Sequence, residues 1–563
     1  MILDFHPSTG AYTLRIKRGE ADPKQIMEEE GFMWSKPLTS NGEAVLFTRE
    51  PYAAATYSAF AAPEARAQLM SLITEIEASQ AKVCNAQIKC PQDKELWPFQ
   101  RANVVYAKRR RNTLIGDQPG LGKTPVGICF ANEIGAKRVL VLCPASIRLQ
   151  WERMIRQWST MRWPYVVYPI LNSNRGVHPH AEWTIVSFDL ARTELIGALL
   201  AAKTYDLVII DEIHYLKEID SRRTRAVFGD HTGWYREAER NDEGEITGHR
   251  KVFEALAGKC GAILGLSGTP LPNRPREAYV AARGLCWDAI DFMSKDSFDE
   301  RFNPRARLTG RRADGSEYQY TREEVGRAGE LQNRLRVNFM ARHMRRDVMD
   351  QLKLPIYDIV LMDKSEAVKQ ALAAESMLDI DPDHPELFKK ADAAVLGQVA
   401  VVRHMMGLAI APLAAQYCQM LLEGGEDKLC VFGWHIDVMN ILQERLSKYG
   451  IIRIDGSVLP ARRQILVDSF VADKSKRVCL GNFLSIGTGT DGLQTVCNHV
   501  VFPEYDWVPG NNEQAVARLD RGGQKRTVLA DFCVAPGSLG ERILSSSVRK
   551  LHTTNKVLDR RIT

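Results

Sequence analysis

Three small groups of residues could do chemistry together. The stretch GDQPGLGKTPV, Gly116–Val126, places Gly120, Leu121, Gly122, Lys123 and Thr124 between the strand-like NTLIGD and an apolar helical run. In a strand, loop, helix setting, successive backbone N–H groups can surround phosphate oxygens, aided by the positive end of the helix dipole. Lys123 would then reach the β- and γ-phosphates of a nucleotide, and the Thr124 hydroxyl would bind Mg2+. A strict loop of this type wants glycine where Asp117 stands, so the same residues also read as a glycine-rich turn opening a helix. About ninety positions on, LVIIDEIH sets Asp211 and Glu212 at the end of an apolar run. At the C-terminal edge of a buried parallel strand, Asp211 could hold Mg2+ through water while Glu212 orients and deprotonates an attacking water. The competing reading is a pair of solvated acids capping a helix. Third, Arg518 and Arg521 stand three apart and would share one face of a helix. Pointed across a cleft at a γ-phosphate, such arginines accelerate transfer by roughly 10³ to 10⁵, whereas as surface ion pairs each would contribute at most about 1 kcal/mol.

Residues so far apart need a scaffold that gathers them. From Val104 onward, short apolar runs alternate with amphipathic helical stretches. RVLVLCPAS, WTIVSFD, YDLVIIDEIH and CGAILGLSGT read as buried strands ending in polar or glycine-rich residues, and DKLCVFGWH, IIRIDGS, KRVCLGNFL, CNHVVFPEYD and RTVLADFCV repeat that grammar later. Two α/β units are the economical inference. Between them, helical patterns prevail in GELQNRLRVNFMARHMRRDVMDQL, EAVKQALAAESM and AAVLGQVAVVRHMMGLAIAPLAAQYCQMLLE. The expected organisation is a small α+β module over 1–90, a first α/β lobe over 91–284, helical protrusions and linker over 285–425, and a second lobe over 426–563.

The 563 residues suffice for several cores, since single domains stop growing near roughly 250 to 300 residues. No apolar run is read as approaching the roughly 20 residues of a membrane span, and the start MILDFHPSTG lacks the marks of a secretory signal. The expectation is a soluble, cytoplasmic protein whose 11 cysteines are free thiols. Cys84 and Cys90 lack partners for a zinc site, and His178 and His180 read as a surface loop. The net charge of +6 is compatible with nucleic acid. Arg301 to Arg346 holds 12 Arg, no Lys and 5 acids, which reads either as a solvated face or as a surface for bidentate phosphate recognition.

The ordered motifs resemble those of superfamily 2 helicases and translocases. DEIH is similar to their Asp-Glu-x-His box; LWPFQR resembles the Q motif, with Gln100 placed to read adenine; LCPASIRLQW and LGLSGTPLPN resemble motifs Ia and III. RIDGSV, FLSIGTGTDGLQTV and QAVARLDRGGQ resemble motifs of the second lobe. LSGTPLPN, HMRRDVMDQLKLP, DWVPGNNEQAVARLDRGGQKRTV and GSLGERILSSSVRK are similar to phrases of the SWI/SNF-type DNA translocases, although GTGTDGLQ and LDRGGQ depart from that group's phrases. The resemblance implies two RecA-like parallel-sheet lobes, ATP and Mg2+ as cofactors, and closure of the second lobe over ATP held on the first. It adds Gln514 and Gly489 to the nucleotide site. It places Pro144, Ser146, Ser267, Thr269, Gly487, Thr488 and Trp507 toward DNA, with core packing the competing reading for Trp507. It makes GSLGERILSSSVRK a closing helix that braces both lobes.

The start of the chain, from EEEGF to YSAF, resembles the HARP-like modules that precede annealing helicases and fork-remodelling translocases, with Trp34, Phe47 and Tyr52 as apolar anchors. With 9 Lys and Arg against 11 Asp and Glu, residues 1–90 are no obvious electrostatic clamp. The implied activity is ATP-driven, sequence-independent translocation on double-stranded or branched DNA, with fork regression, branch migration or annealing as the outcome. The alternatives are an RNA helicase of the Asp-Glu-x-His type and an inactive DNA-binding scaffold. The compact chain, without a recognised chromatin-reading domain, suggests a bacterial or phage setting.

Overall fold

The computed structural model describes residues 1–35, 42–162, 164–240, 245–271, 274–311, 317–323, 325–348, 355–377, 393–483, 491–506, 509–521, 523–542 and 544. Its framework is two all-parallel sheets. The first runs, from edge to edge, Met340–Ala341, Asn112–Ile115, Cys260–Leu266, Tyr205–Asp211, Val139–Cys143, Trp183–Ser187 and Val167–Pro169. Every residue of Val139–Cys143 and of Trp183–Ser187 is buried. Helices cover both faces, and the two core clusters on either side of this sheet explain why its strands read as unbroken apolar runs.

The second sheet has the order Ile356–Leu361, Leu529–Val534, His499–Phe502, Leu429–Gly433, Val478–Asn482 and Ile451–Ile454, again all parallel. It too separates two apolar clusters. Ahead of the first lobe, the described residues form a four-stranded antiparallel sheet, Ile2–His6, Ala11–Lys17, Glu43–Thr48 and Met33–Trp34, with the helices Pro23–Glu30, Pro51–Ala55 and Pro63–Ala78.

Three features differ from the sequence reading. The stretch over 285–425 is not all helix: Met340–Ala341 extends the first sheet, Ile356–Leu361 forms the edge of the second, and Arg305–Arg311 pairs with Glu317–Glu323 as a hairpin. A second hairpin, Trp234–Arg240 with Ile246–Glu254, projects from the first lobe. The helix Ala393–Glu423 is long and apolar enough over Gly397–Glu423 to cross a bilayer, contrary to the expectation that no such run exists. Half of that span is buried inside the protein, where Ala411, Ala414, Ala415 and Cys418 pack into the second lobe's core with Leu429 and Val431.

Among the described residues of the arginine-rich stretch, Arg301, Arg334 and Arg345 bind the chain to itself. Nearly all of the helix Ala328–Asn338 is buried despite its polar sequence. Arg334 donates from Nε to Glu330 Oε1 at 2.8 Å and from Nη2 to Glu50 Oε2 at 2.9 Å, and stacks 4.5 Å from the Tyr52 ring centroid. Arg301 forks onto both Glu330 oxygens at 2.9 and 3.0 Å and also reaches Glu50. Glu50 and Tyr52 belong to the N-terminal module, so two arginines and two glutamates lock that module onto the first lobe. Burial and the nearby Glu330 charge hold the Glu50 carboxyl above its ordinary range, against the pull of Arg334 and Arg301.

Candidate active site between the two lobes

The chain brings its candidate residues to one edge of the first sheet. Leu266 is in register with both Ile115 and Asp211, so the Gly116–Thr124 loop, the Ser267–Thr269 turn and the Asp211-Glu212 pair leave the sheet at one level. This is the carboxyl edge, where open parallel sheets bind ligands.

The helix Lys123–Ile134 starts at Gly122, whose φ of 72° is left-handed. A Cβ on Gly122 would strain the left-handed backbone and, at 2.5 Å from Gln100 Nε2, would displace the Gln100 amide. Lys123, at the first helical position, turns its ammonium back onto the Asp117 and Gln118 carbonyls at 2.8 and 3.3 Å. Desolvation draws the Lys123 pKa down, opposed by Glu212, Asp117 and Asp211. Thr124 follows in the same helical turn, half-buried.

Asp117, the residue at the expected glycine position, is fully buried and wholly engaged. It accepts from Asn103 Nδ2 at 2.6 Å, from the His343 backbone N–H at 2.8 Å and lies 2.9 Å from His343 Nδ1. The other ring nitrogen, Nε2, lies 3.1 Å from the Ala81 carbonyl, which can only accept. The loop is therefore pinned at its first residue by side chains rather than left free to turn as glycine would allow.

Asp211 ends its strand 8% exposed, accepting from Trp151 Nε1 at 2.7 Å and from the Glu212 backbone N–H at 3.0 Å. Burial, then the Glu212 charge, push its carboxyl up to about 7. Glu212 has a left-handed φ of 54°, uncommon for a residue with a side chain and frequent at functional sites. Its Oε2 makes no hydrogen bond and lies 3.3 Å from His214 Nδ1, which in turn is 2.9 Å from Ser267 Oγ. A buried pair of carboxylates is a hard oxygen donor set, and the repulsion within it is what a divalent cation such as Mg2+ relieves.

The second lobe supplies the other wall. Its helix Pro509–Val516 carries the half-buried Gln514 and ends before the arginines, so Arg518 and Arg521 sit on the tight turns after the helix and not on the helical face expected from their spacing. The turn nevertheless lands on the glycine loop: a Cβ on Gly120 would be 2.8 Å from the Asp520 carbonyl, 3.1 Å from Arg345 Nη1 and 3.4 Å from Arg521 Cβ. Desolvation, then the Arg521 charge, draw Arg518 down to about 9, a cation at neutral pH, while Glu212 and Asp211 act in the opposite sense. Arg521 pairs with Asp491 at 3.0 Å. Arg345 fastens the seam: its backbone N–H donates to Gln118 Oε1 at 2.8 Å, and its guanidinium pairs with Asp520 at 2.7 Å.

Other expected contacts come out differently. Gln100 does not offer a free amide to a base: Oε1 accepts from the Trp97 N–H at 2.9 Å and Nε2 donates to the Leu121 carbonyl at 2.9 Å, bracing the loop from behind. Ser267 is fully buried against His214 and cannot touch DNA, although it is well placed to transmit from the acidic pair to the half-buried Thr269, whose N–H it accepts. Pro144 is buried, with exposed Ala145 and half-buried Ser146 beside it at the end of the strand Val139–Cys143. Gly487, Thr488, Gly489 and Trp507, and half of GSLGERILSSSVRK, lie outside the described residues. Sequence reasoning passed over Trp151, His343 and Arg345. All three stand inside quoted motifs, but their partners are distant in the chain.

Comparison with known proteins gives this arrangement relatives. Residues 49–230 match the family described as SNF2-related domain. The chain is 27% identical over 480 residues to the DNA annealing helicase and endonuclease ZRANB3 of Mus musculus, covering 83% of this chain and 41% of that protein. It is 28% identical over 464 residues to the SWI/SNF-related matrix-associated actin-dependent regulator of chromatin subfamily A-like protein 1 of Xenopus tropicalis, covering 80% and 44%. The chain thus spans less than half the length of these curated relatives. Both are animal proteins and lend no support to a bacterial or phage setting. Among solved structures, the Sulfolobus solfataricus SWI2/SNF2 ATPase core in complex with dsDNA aligns at 15% identity with a TM-score of 0.36, covering 85% of this chain and 100% of that one.

Proposed function

From a chain that carries an SNF2-related domain, we propose an ATP-dependent DNA translocase that remodels forked or branched DNA without reading its sequence. The observation that carries the reading is the meeting of two lobes at one loop: Gly120 of the first against Asp520 and Arg521 of the second, with Arg518 in electrostatic reach of Glu212. The names of the relatives, a DNA annealing helicase among them, support a DNA substrate of that kind.

In this mechanism the N–H groups of Gly120 to Thr124 hold the nucleotide phosphates, and Lys123 leaves the Asp117 and Gln118 carbonyls for phosphate oxygens of full charge. Thr124 and Asp211 would hold Mg2+, which when bound neutralises charge on the phosphates. Glu212, the acid that stays ionised in the pair, orients water and accepts its proton. Arg518 and Arg521 stabilise the charge that develops on the γ-phosphate. Because their turn belongs to the second lobe, hydrolysis alters the lobe contact, and contacts to phosphate rather than to bases turn that change into movement along DNA.

The test is ATP turnover and strand rearrangement on blunt duplex, replication fork, four-way junction, single-stranded DNA and RNA. Lys123→Ala or Glu212→Gln should abolish turnover with DNA binding retained. Unchanged turnover in both variants, or stimulation by RNA alone, would overturn the reading.

A further inference from the structure

We infer that Trp151 is a positioning residue, which fixes Asp211 through its indole N–H and ties that carboxylate to the backbone loop at Pro144–Ile147. The inference rests on the ATPase reading above but assigns a role to a residue which that reading does not use. Trp151 lies one turn into the helix Arg148–Trp158, which follows directly on the 3₁₀ turn Ala145–Ile147 at the sheet edge. Its side chain is 1% exposed. The ring touches two further elements. Its Nε1 donates to Asp211 Oδ2 at 2.7 Å, and its Cη2 would lie 3.5 Å from a Cβ on Gly127, in the helix that Lys123 and Thr124 begin.

A single rigid side chain thus spans the turn after Val139–Cys143, the helix behind the phosphate loop and the acid at the end of Tyr205–Asp211. An indole has one donor and no acceptor, so it can only fix an oxygen and cannot compete for a cation. With Oδ2 held by Trp151 and Oδ1 by the Glu212 N–H, the carboxylate plane is set by two bonds at right distance. Partners that orient a metal-holding group in this way are typically worth about 10- to 100-fold in metal affinity. The start of the helix is held in turn by Arg148, whose Nε donates to the Ala145 carbonyl at 2.9 Å. A shift of that turn on contact with a nucleic-acid backbone therefore reaches Asp211 through packed atoms.

Two replacements separate the N–H from the ring. Trp151→Phe removes the donor and part of the volume; site-specific replacement of the indole by its benzothiophene isostere removes the donor and keeps the shape. The primary readout is binding of a fluorescent ADP with and without Mg2+. Both replacements should weaken the Mg2+-dependent tightening about tenfold, leave Mg2+-free ADP affinity within about twofold, and require correspondingly more Mg2+ for half-maximal DNA-stimulated turnover. Unaltered Mg2+ dependence in the isostere overturns the inference even where Trp151→Phe is impaired, because the effect is then one of packing. A wild-type protein without turnover on any nucleic acid would sink the proposed function, yet the ADP measurement would still decide the role of Trp151.

Discussion

Removing one charge at the seam should open the lobes without unfolding them. In Asp520→Asn the Arg345 guanidinium, 7% exposed, loses the negative charge it pairs with at 2.7 Å and keeps only neutral acceptors, the 520 backbone carbonyl and the amide oxygen. Breaking one side of a buried ion pair costs about 3 to 5 kcal/mol. Each lobe has its own sheet and its own apolar clusters, so the cost need not fall on either fold. It falls on the contact, and the ratio of closed to open molecules should drop by about two to three and a half powers of ten, at roughly 1.4 kcal/mol per tenfold. The assay is the distance between fluorophores placed on the two lobes, with ATP turnover measured in parallel. The expected result is a longer mean distance, reduced turnover and unchanged melting of each lobe. Arg345→Met with Asp520→Leu, which removes both charges, should recover much of the closure because well-packed apolar pairs replace buried ion pairs at little cost. Refutation is an Asp520→Asn protein with wild-type distance and turnover, or a double variant no more closed than the single one.

Gly122→Ala must hold φ near 72° with a Cβ 2.5 Å from Gln100 Nε2, a loss of about 1 to 2 kcal/mol from the backbone and about 1 kcal/mol from the Gln100 bond to Leu121; nucleotide affinity and melting temperature should both fall. Glu50→Gln, which removes the module's carboxylate that Arg301 and Arg334 reach, should loosen the N-terminal module by about 3 kcal/mol, read as earlier proteolytic cleavage within residues 79–92, and equal protection in mutant and wild type would count against the buried network. His499 lies 2.7 Å from Asp531 and 3.3 Å from Glu426, which raise its pKa against the effect of burial. Its contribution is therefore complete below the unfolded value near 6.5 and is lost as pH rises through the higher folded value, so the melting temperature of the second lobe should fall above pH 6.5 and do so less in His499→Gln.

Strands buried on both faces were the legible part of the fold. Val139–Cys143 and the Leu207–Ile210 part of Tyr205–Asp211 are apolar throughout because helices cover both sides. Met340–Ala341 is too short to write a pattern, and the exposed hairpin Trp234–Arg240 with Ile246–Glu254 mixes charges on both faces. The glycine loop and the acidic pair stood out as local motifs, whereas the residues that support them did not. Arg301 meets Glu50 across 251 residues and Arg345 meets Asp520 across 175, so composition, which offered a solvated face or a phosphate-recognising surface, held no sign that these two arginines clasp the chain to itself. Gln100 misled for the same reason: its partner, the Leu121 carbonyl, exists only once the loop has folded.

The glutamate and arginine lock beneath the N-terminal module has a mechanical corollary. A part bolted to one half of a hinge cannot idle while that half swings, so in the translocase proposed above the module would sweep through the same arc as the first lobe. Whatever structure in DNA it leans on would then be pushed once per stroke, in step with fuel consumption, and loosening the bolts would uncouple that push from the proposed ATP turnover.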